Sequence, residues 1–160
     1  MILIGIGANL PGPYASTRDA CETALQLLEK EGVKVLARSH WYETAPVPVS
    51  DQPWYVNGVA AVETDLPPEA VLLLLHQVEA HMGRVRKTRN EARVIDLDLL
   101  AYGGLVQKGP PSLPHPRLAE RAFVLLPIRD LDPHWHHPQT GASVADLIAA
   151  LPPGQEIRRI

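Results

Sequence analysis

The sequence predicts an α+β fold, an antiparallel sheet with helices packed on it and a C-terminal helical extension, and three observations carry that expectation. Apolar periodicity runs in the order strand, helix, strand, strand, helix, strand, the ferredoxin-like pattern. The 160 residues are the size of one ordinary domain, so residues 1–160 are expected to form a single unit. A hydrophobic share of 46% beside a charged share of 21% is close to the globular average, which argues against a disordered chain or a charged tail module.

Each element follows from local chemistry. Residues 2–8 are a short β-branched run fit for an interior strand, and residues 9–15 are a punctuated loop. Ser16 can cap the helix that follows, with Asp19 three residues on; Ala20, Ala24, Leu27 and Leu28 form its buried stripe and Gly32 ends it. Residues 33–43 and 54–64 are strand-like, and the intervening loop, with Pro46, Pro48 and Pro53, is too long and irregular for a tight hairpin. That loop is a candidate lid. Pro68 suits the first turn of a second helix running to Gly83, with Val71, Leu75, Val78 and Met82 toward the core and Glu79 on the flank of that stripe. A strand is expected over about 94–102, turned by Gly103-Gly104 toward a short strand at 105–107. Two short helices are expected near 118–129 and 143–151, and no internal repeat is present.

Fifteen basic against eighteen acidic residues leave a net charge of -3, which excludes a global attraction to nucleic acid or anionic membrane; neither is an expected partner. Cys21 is the only cysteine, which excludes an intrachain disulfide and a cysteine-based zinc cluster, and its neighbours Ala20, Ala24 and Leu25 mark it as packing. The apolar opening lacks a basic leader and a cleavage pattern, and the longest later apolar run, residues 70–75, cannot span a bilayer. A soluble, cytoplasmic protein is the expectation. Sixteen prolines, clustered at 46–53, 110–116 and 152–153, mark stiffened loops.

The strongest chemical signal is the run from Arg93 to Leu100. Residues two apart on a strand point to one face about 6 to 7 Å apart, so Asp96 and Asp98 project together while Ile95, Leu97 and Leu99 point the other way. Two adjacent carboxylates repel unless a cation bridges them, and oxygen ligands with room for water and phosphate suit Mg²⁺. Two aspartates on a solvated strand face are the plainer alternative, but five cations fall within residues 84–93, just before them. Guanidinium groups in such number match polyphosphate oxygens and offset the charge of phosphoryl transfer. By itself the basic run also fits a solvated surface or an RNA contact.

Other signals are weaker. Gly5-Ile6-Gly7 begins a dinucleotide-type glycine pattern, but Leu10 stands where the third glycine belongs and Pro11 follows; no Walker-type glycine loop exists. His134, His136 and His137 lie in a proline-flanked loop with Asp132 as the only nearby carboxylate, and read as an exposed loop before a ligand set. Tyr55 and Asn57 share a strand face opposite Trp54 and Val56, an aromatic ring beside an amide, as a flat heterocycle requires.

Taken together, the chain resembles the 6-hydroxymethyl-7,8-dihydropterin pyrophosphokinases of folate biosynthesis. The likeness is carried in order by Gly7-Ala8-Asn9-Leu10, Tyr42-Glu43-Thr44-Ala45-Pro46, Asp51-Gln52-Pro53, Tyr55-Val56-Asn57, Glu79, Gly83-Arg84-Val85-Arg86, the run from Arg93, Pro114-His115-Pro116-Arg117, Glu120-Arg121 and Phe123. The resemblance implies an ATP- and Mg²⁺-dependent diphosphokinase that moves the β,γ-diphosphate of ATP to the pterin hydroxymethyl group and releases AMP. It implies Arg84, Arg86, Arg93, Asp96 and Asp98 as the catalytic set, with Asp96 and Asp98 holding two Mg²⁺ ions on the triphosphate. Glu79, Leu99, Ser112, His115 and Arg121, with Arg84 and Arg86, would form the ATP site. Tyr55 and Phe123 would sandwich the pterin, with Asn57 and the backbone of Thr44, Ala45, Pro46 and Val47 reading its edge. Members commonly carry Arg-Trp-Gly-Pro-Arg before the acidic strand, where this chain has Arg89-Asn90-Glu91-Ala92-Arg93. Two alternatives stand beside it: an RNA-binding module on the same topology, and another Mg²⁺-dependent nucleotidyl or phosphoryl transferase. The acidic pair argues against the first.

Overall fold

A computed structural model describes residues 1–46, 50–83 and 94–160. The main elements are β1 (Ile2–Ala8), α1 (Thr17–Lys30), β2 (Lys34–Arg38), β3 (Tyr42–Thr44), β4 (Tyr55–Glu63), α2 (Pro68–His81), β5 (Asp96–Tyr102), α3 (Ala122–Leu131), α4 (Val144–Ala149) and β6 (Ile157–Arg159), with a 3-10 turn at Leu118–Glu120 before α3. The sheet runs β5-β1-β4-β3-β6, with β2 also paired to β4, and every pairing is antiparallel. With β2 and β3 taken as one interrupted strand, this is the expected ferredoxin-like sheet, extended at one edge by β6.

Local signals place the helices. The Ser16 hydroxyl accepts the Asp19 N–H at 3.0 Å, and Gly32, at φ +88°, reverses the chain after α1 at a backbone conformation that a side chain resists. Proline at the first helical position opens α2, where no side chain caps the end and the Pro67 carbonyl accepts the Ala70 and Val71 N–H groups at 3.0 Å.

Two apolar layers share the sheet. On one face Ile4, Ile6, Val62, Leu97 and Leu99 pack under Ala24, Leu28, Val71 and Leu75 of α1 and α2; on the other Leu3, Val59 and Leu100 pack under Leu125 and Ile128 of α3, with Trp135 and Val144. Fully buried leucines such as Leu28, Leu75, Leu100 and Leu125 each contribute roughly 1.5–3 kcal/mol by leaving water. Cys21 belongs to the first layer, and burial pushes its thiol up to about 12. Among the described residues no helix is long and apolar enough to cross a membrane.

Several elements differ from expectation. The strand over 33–43 breaks into β2 and β3 because Ser39 turns inward, its hydroxyl accepting the Val59 N–H at 3.0 Å and donating to the His40 carbonyl at 2.7 Å. Trp41 then lies over Gly58, where a Cβ would strike its ring, and its indole N–H reaches Glu22 at 2.9 Å. The strand expected at 105–107 does not form; Gln107 makes an isolated bridge to Leu113, and Leu105 and Val106 stay exposed. The helix expected over 118–129 is interrupted at Arg121, whose extended backbone separates the 3-10 turn from α3. Strand β6 was not expected, since Ile157, Arg158 and Arg159 show no apolar pattern and become a strand only by pairing with β3.

Candidate active site

Register on the central strands assembles the site. Gly7 of β1 lies between Asp96 of β5 and Asn57 of β4, and Asn57 lies opposite Tyr42 of β3, so one row crosses the sheet as Asp96, Gly7, Asn57, Tyr42. Gly5 lies opposite Asp98 in the parallel row below. Alternation along β5, continuing from Ile95 just before it, sends Ile95, Leu97 and Leu99 into the core beneath α1 and α2 and leaves the half-buried Asp96 and Asp98 on the other face. The buried Leu100 side chain covers Gly5, where a Cβ would stand 3.3 Å from it. At Gly7 no side chain fits, because a Cβ would run into the amide oxygen of Asn57. The Asn57 amide thus spans Gly7 and donates from Nδ2 to Thr44 Oγ1 at 2.6 Å, both residues being buried.

Cations from the segment before α3 face the aspartates. Burial lowers the pKa of the Arg121 guanidinium and Arg117 lowers it further, while Asp98 and Asp96 oppose both. Burial likewise pulls His115 below the usual imidazole range, Arg121 and Arg117 add to this, and Asp96 opposes. The His115 ring therefore sits neutral at pH 7; its Nδ1 accepts the Arg117 N–H at 3.1 Å, which leaves the proton on Nε2. The Arg121 guanidinium stacks on Phe123, 5.3 Å from the ring centroid. Phe123 and Ala122 then line a narrow cleft with Thr44, Ala45, Gln155, Glu156 and Ile157.

Other residues singled out in the sequence are distributed around this face. Tyr55 is half-buried opposite Thr44, and Pro46 is buried. Glu79, beside the apolar stripe of α2, is buried at 3% exposure; its carboxylate accepts the Leu97 N–H at 2.8 Å on the outer edge of β5. Leu99 keeps its side chain in the core, and Ser112 is exposed with its hydroxyl accepting the Gly109 N–H at 3.1 Å. Arg84, Arg86, Arg93, Asn90 and Val47 lie outside the described residues. Asn9, quoted in a motif without a role, is buried and ties the first loop to the proline-rich one, its Nδ2 donating to Gln52 Oε1 at 3.1 Å and the Pro53 carbonyl at 3.2 Å. An asparagine directly after an apolar strand was its only local signal.

A match to a family model decides what these residues belong to: residues 3–133 fit that of 7,8-dihydro-6-hydroxymethylpterin-pyrophosphokinase. The chain belongs to this pyrophosphokinase family. It is 38% identical over 151 residues to the 2-amino-4-hydroxy-6-hydroxymethyldihydropteridine pyrophosphokinase of Methylorubrum extorquens, covering 94% of this chain and 92% of that protein. It is also 38% identical over 145 residues to the folic acid synthesis protein fol1 of Pneumocystis carinii, covering 90% of this chain. There the chain spans only 19% of its relative's length. In fold it is similar to the wild-type HPPK-DHPS of Plasmodium falciparum solved with SDX-DHP, with a TM-score of 0.72 at 14% identity over 92% of this chain and 43% of that one. Pyrophosphokinase membership displaces the RNA-binding alternative.

Two features stand apart from the pyrophosphokinase site. A groove of about 250 Å³ between α1 and α2 is lined by Leu27, Lys30, Glu31, Leu74, Gln77, Val78 and His81, none of which shares a sheet face with the aspartates. In the histidine loop His134 and His136 are exposed as expected, but His137 is buried, its Nδ1 accepting the Gln139 and Thr140 N–H groups at 3.2 Å. Its ring also meets Trp135 edge-on. Among the described residues no group of three or more His, Cys, Asp or Glu is arranged to hold a metal ion.

Proposed function

We propose that the chain transfers the β,γ-diphosphate of ATP to 6-hydroxymethyl-7,8-dihydropterin, giving AMP and the pterin diphosphate in folate synthesis. The observation that carries this reading is one sheet face on which Asp96 and Asp98, the Arg121 guanidinium with His115, and the Asn57–Thr44 pair with Phe123 stand side by side. A polyphosphate needs the first two groups and a flat polar heterocycle needs the third.

Two adjacent carboxylates are hard oxygen donors, and a pair of them leaves coordination positions for phosphate and water, which fits Mg²⁺. Asp96 and Asp98 would hold the ions, two with each ATP, and bound Mg²⁺ supplies neutralisation of the charge that builds on the phosphates. Arg121, with Arg84, Arg86 and Arg93, pairs with phosphate oxygens through forked N–H donors. His115, whose Nδ1 is taken up by the Arg117 N–H, offers its Nε2–H to a phosphate oxygen. Asn57 turns its carbonyl oxygen over Gly7 toward the pterin edge, and the backbone of residues 44–47 supplies the rest of that edge. Tyr55 and Phe123 stack on the ring faces. Little acid–base work is needed; holding the hydroxymethyl oxygen in line with the breaking bond is the main task.

The test is an incubation with ATP, Mg²⁺ and the reduced pterin alcohol followed by nucleotide analysis. AMP and pterin diphosphate in equal amounts are expected. ADP in place of AMP would overturn the assignment.

A further inference from the structure

The backbone break at Arg121 leaves two polar groups that neither helix satisfies: the Glu120 carbonyl at the end of the 3-10 turn and the Ala122 N–H at the start of α3. The Arg121 side chain makes no capping bond to the helix it precedes. One side chain from far along the chain serves both. Gln155 donates from Nε2 to the Glu120 carbonyl at 2.9 Å and accepts the Ala122 N–H on Oε1 at 2.9 Å. A cap of α3 would need only the acceptor half of that amide. Used whole, the planar amide grips the chain on both sides of Arg121 and one residue before Phe123.

The same C-terminal segment is fastened to the opposite wall of the cleft. The Glu156 carbonyl accepts the Ala45 N–H at 3.1 Å, Ile157 pairs with Thr44, and the Arg158 guanidinium makes two bonds to Glu43, at 2.9 and 2.6 Å. Residues 155–158 therefore join the Arg121–Phe123 wall to the Thr44–Ala45 wall. Meanwhile α3 is anchored independently by Val124, Leu125 and Ile128 in the core, so its existence does not depend on Gln155.

We infer that Gln155 is a positioning residue for the transfer, an amide clamp that sets Arg121 and Phe123 relative to the Thr44–Ala45 backbone and so spaces the pterin cleft. The inference rests on the function proposed above for its substrates. Gln155 touches no reacting atom; it acts through the two residues whose backbone it holds.

Gln155→Ala is the direct test, with Gln155→Glu as a second variant that keeps the acceptor for Ala122 and loses the donor to Glu120. For Gln155→Ala the pterin Kd by fluorescence titration, and KM with it, should rise about tenfold, while Tm moves by only about 2–4 °C, the size expected for one or two partly exposed hydrogen bonds. Gln155→Glu should fall between wild type and Gln155→Ala. In a Phe123→Ala background the pterin penalty of Gln155→Ala should shrink to under about twofold, because the group being positioned is gone. A pterin Kd unchanged in Gln155→Ala, or a penalty of the same factor in both backgrounds, would overturn the inference. Amide exchange at Ala122 in the ligand-free protein separates the two proposals. It should quicken in Gln155→Ala whatever the substrate, and unaltered exchange would overturn the clamp. A wild-type protein that makes no pterin diphosphate would overturn the functional reading instead.

Discussion

Beneath α1 and α2 the sheet buries Ile4, Ile6, Leu97 and Leu99, whereas on the face toward α3 the same strands carry Leu3, Val59 and Leu100 at one end and Gly7, Asn57, Asp96 and Asp98 at the other. The first face is apolar along its length, as a surface wholly covered by two helices must be. The second changes character where α3 begins, and the side chains that change are those proposed above for the chemistry. Strand β5 belongs to both faces, so neighbouring residues on it have unrelated tasks: Leu97 packs in the core, and Asp96 and Asp98 are the proposed metal ligands. Substitutions one position apart should therefore fail in different measurements.

The largest effect is expected at the acidic pair. Asp96→Ala and Asp98→Ala should each lower turnover by about three orders of magnitude at saturating Mg²⁺ with little change in Tm, since the repulsion relieved between the pair is offset by attraction lost to Arg121. Steady-state kinetics beside thermal melts check this, and near-wild-type rates in both variants would erase the distinction between the faces. Leu97→Ala should do the reverse, costing about 2–5 kcal/mol of stability through a cavity in the fully packed layer. Urea unfolding reads that loss, and an unchanged midpoint would mean that the covered face is not closely packed there.

Asn57→Ala sharpens the division within the second face. Pterin binding should weaken by roughly 1–3 kcal/mol as heterocycle polar groups and Thr44 lose their partner, with affinity for Mg²⁺-ATP nearly unchanged in calorimetry. Equal losses for both ligands would merge the two halves of the site.

The smallest effect concerns His137, at the far end of the chain from these strands. Burial holds its pKa below the ordinary 6.5, and Nδ1 must stay unprotonated to accept two N–H groups. The unfolded chain binds the proton more readily, so this stability is complete above about pH 6.5 and is lost as pH falls from there toward the folded value. His137→Asn retains an acceptor in the place of Nδ1 without titrating. Its Tm should fall a few degrees less than that of wild type between pH 7 and 5.5, with turnover at neutral pH unaltered. Parallel Tm profiles would remove the histidine from the acid response.

Parts of the site were legible because their signals are local. The alternation that puts Asp96 beside Asp98, the Ser16 cap, the proline opening of α2 and the pairing of Tyr55 with Asn57 on one face depend on spacings of two to four residues. The stripe on α2 placed Glu79 at its flank but could not name what the carboxylate bonds, a sheet-edge N–H 18 residues away in sequence. His137 was misjudged because its loop folds back on its own ring nitrogen.

The positions of β1, α1, β4, α2 and β5 and the faces of β5 were legible in the sequence alone, because hydrophobic period and side-chain chemistry act on near neighbours. Only the tertiary structure decided that Ser39 interrupts a strand by bonding across to Val59, 20 residues on, and that Ile157–Arg159 becomes a strand at all. It also decided that Gln155 bridges the break at Arg121, across separations of 33 and 35 residues. In each case the deciding hydrogen bond pairs groups that approach only after the layers have packed, and no local pattern specifies such a partner.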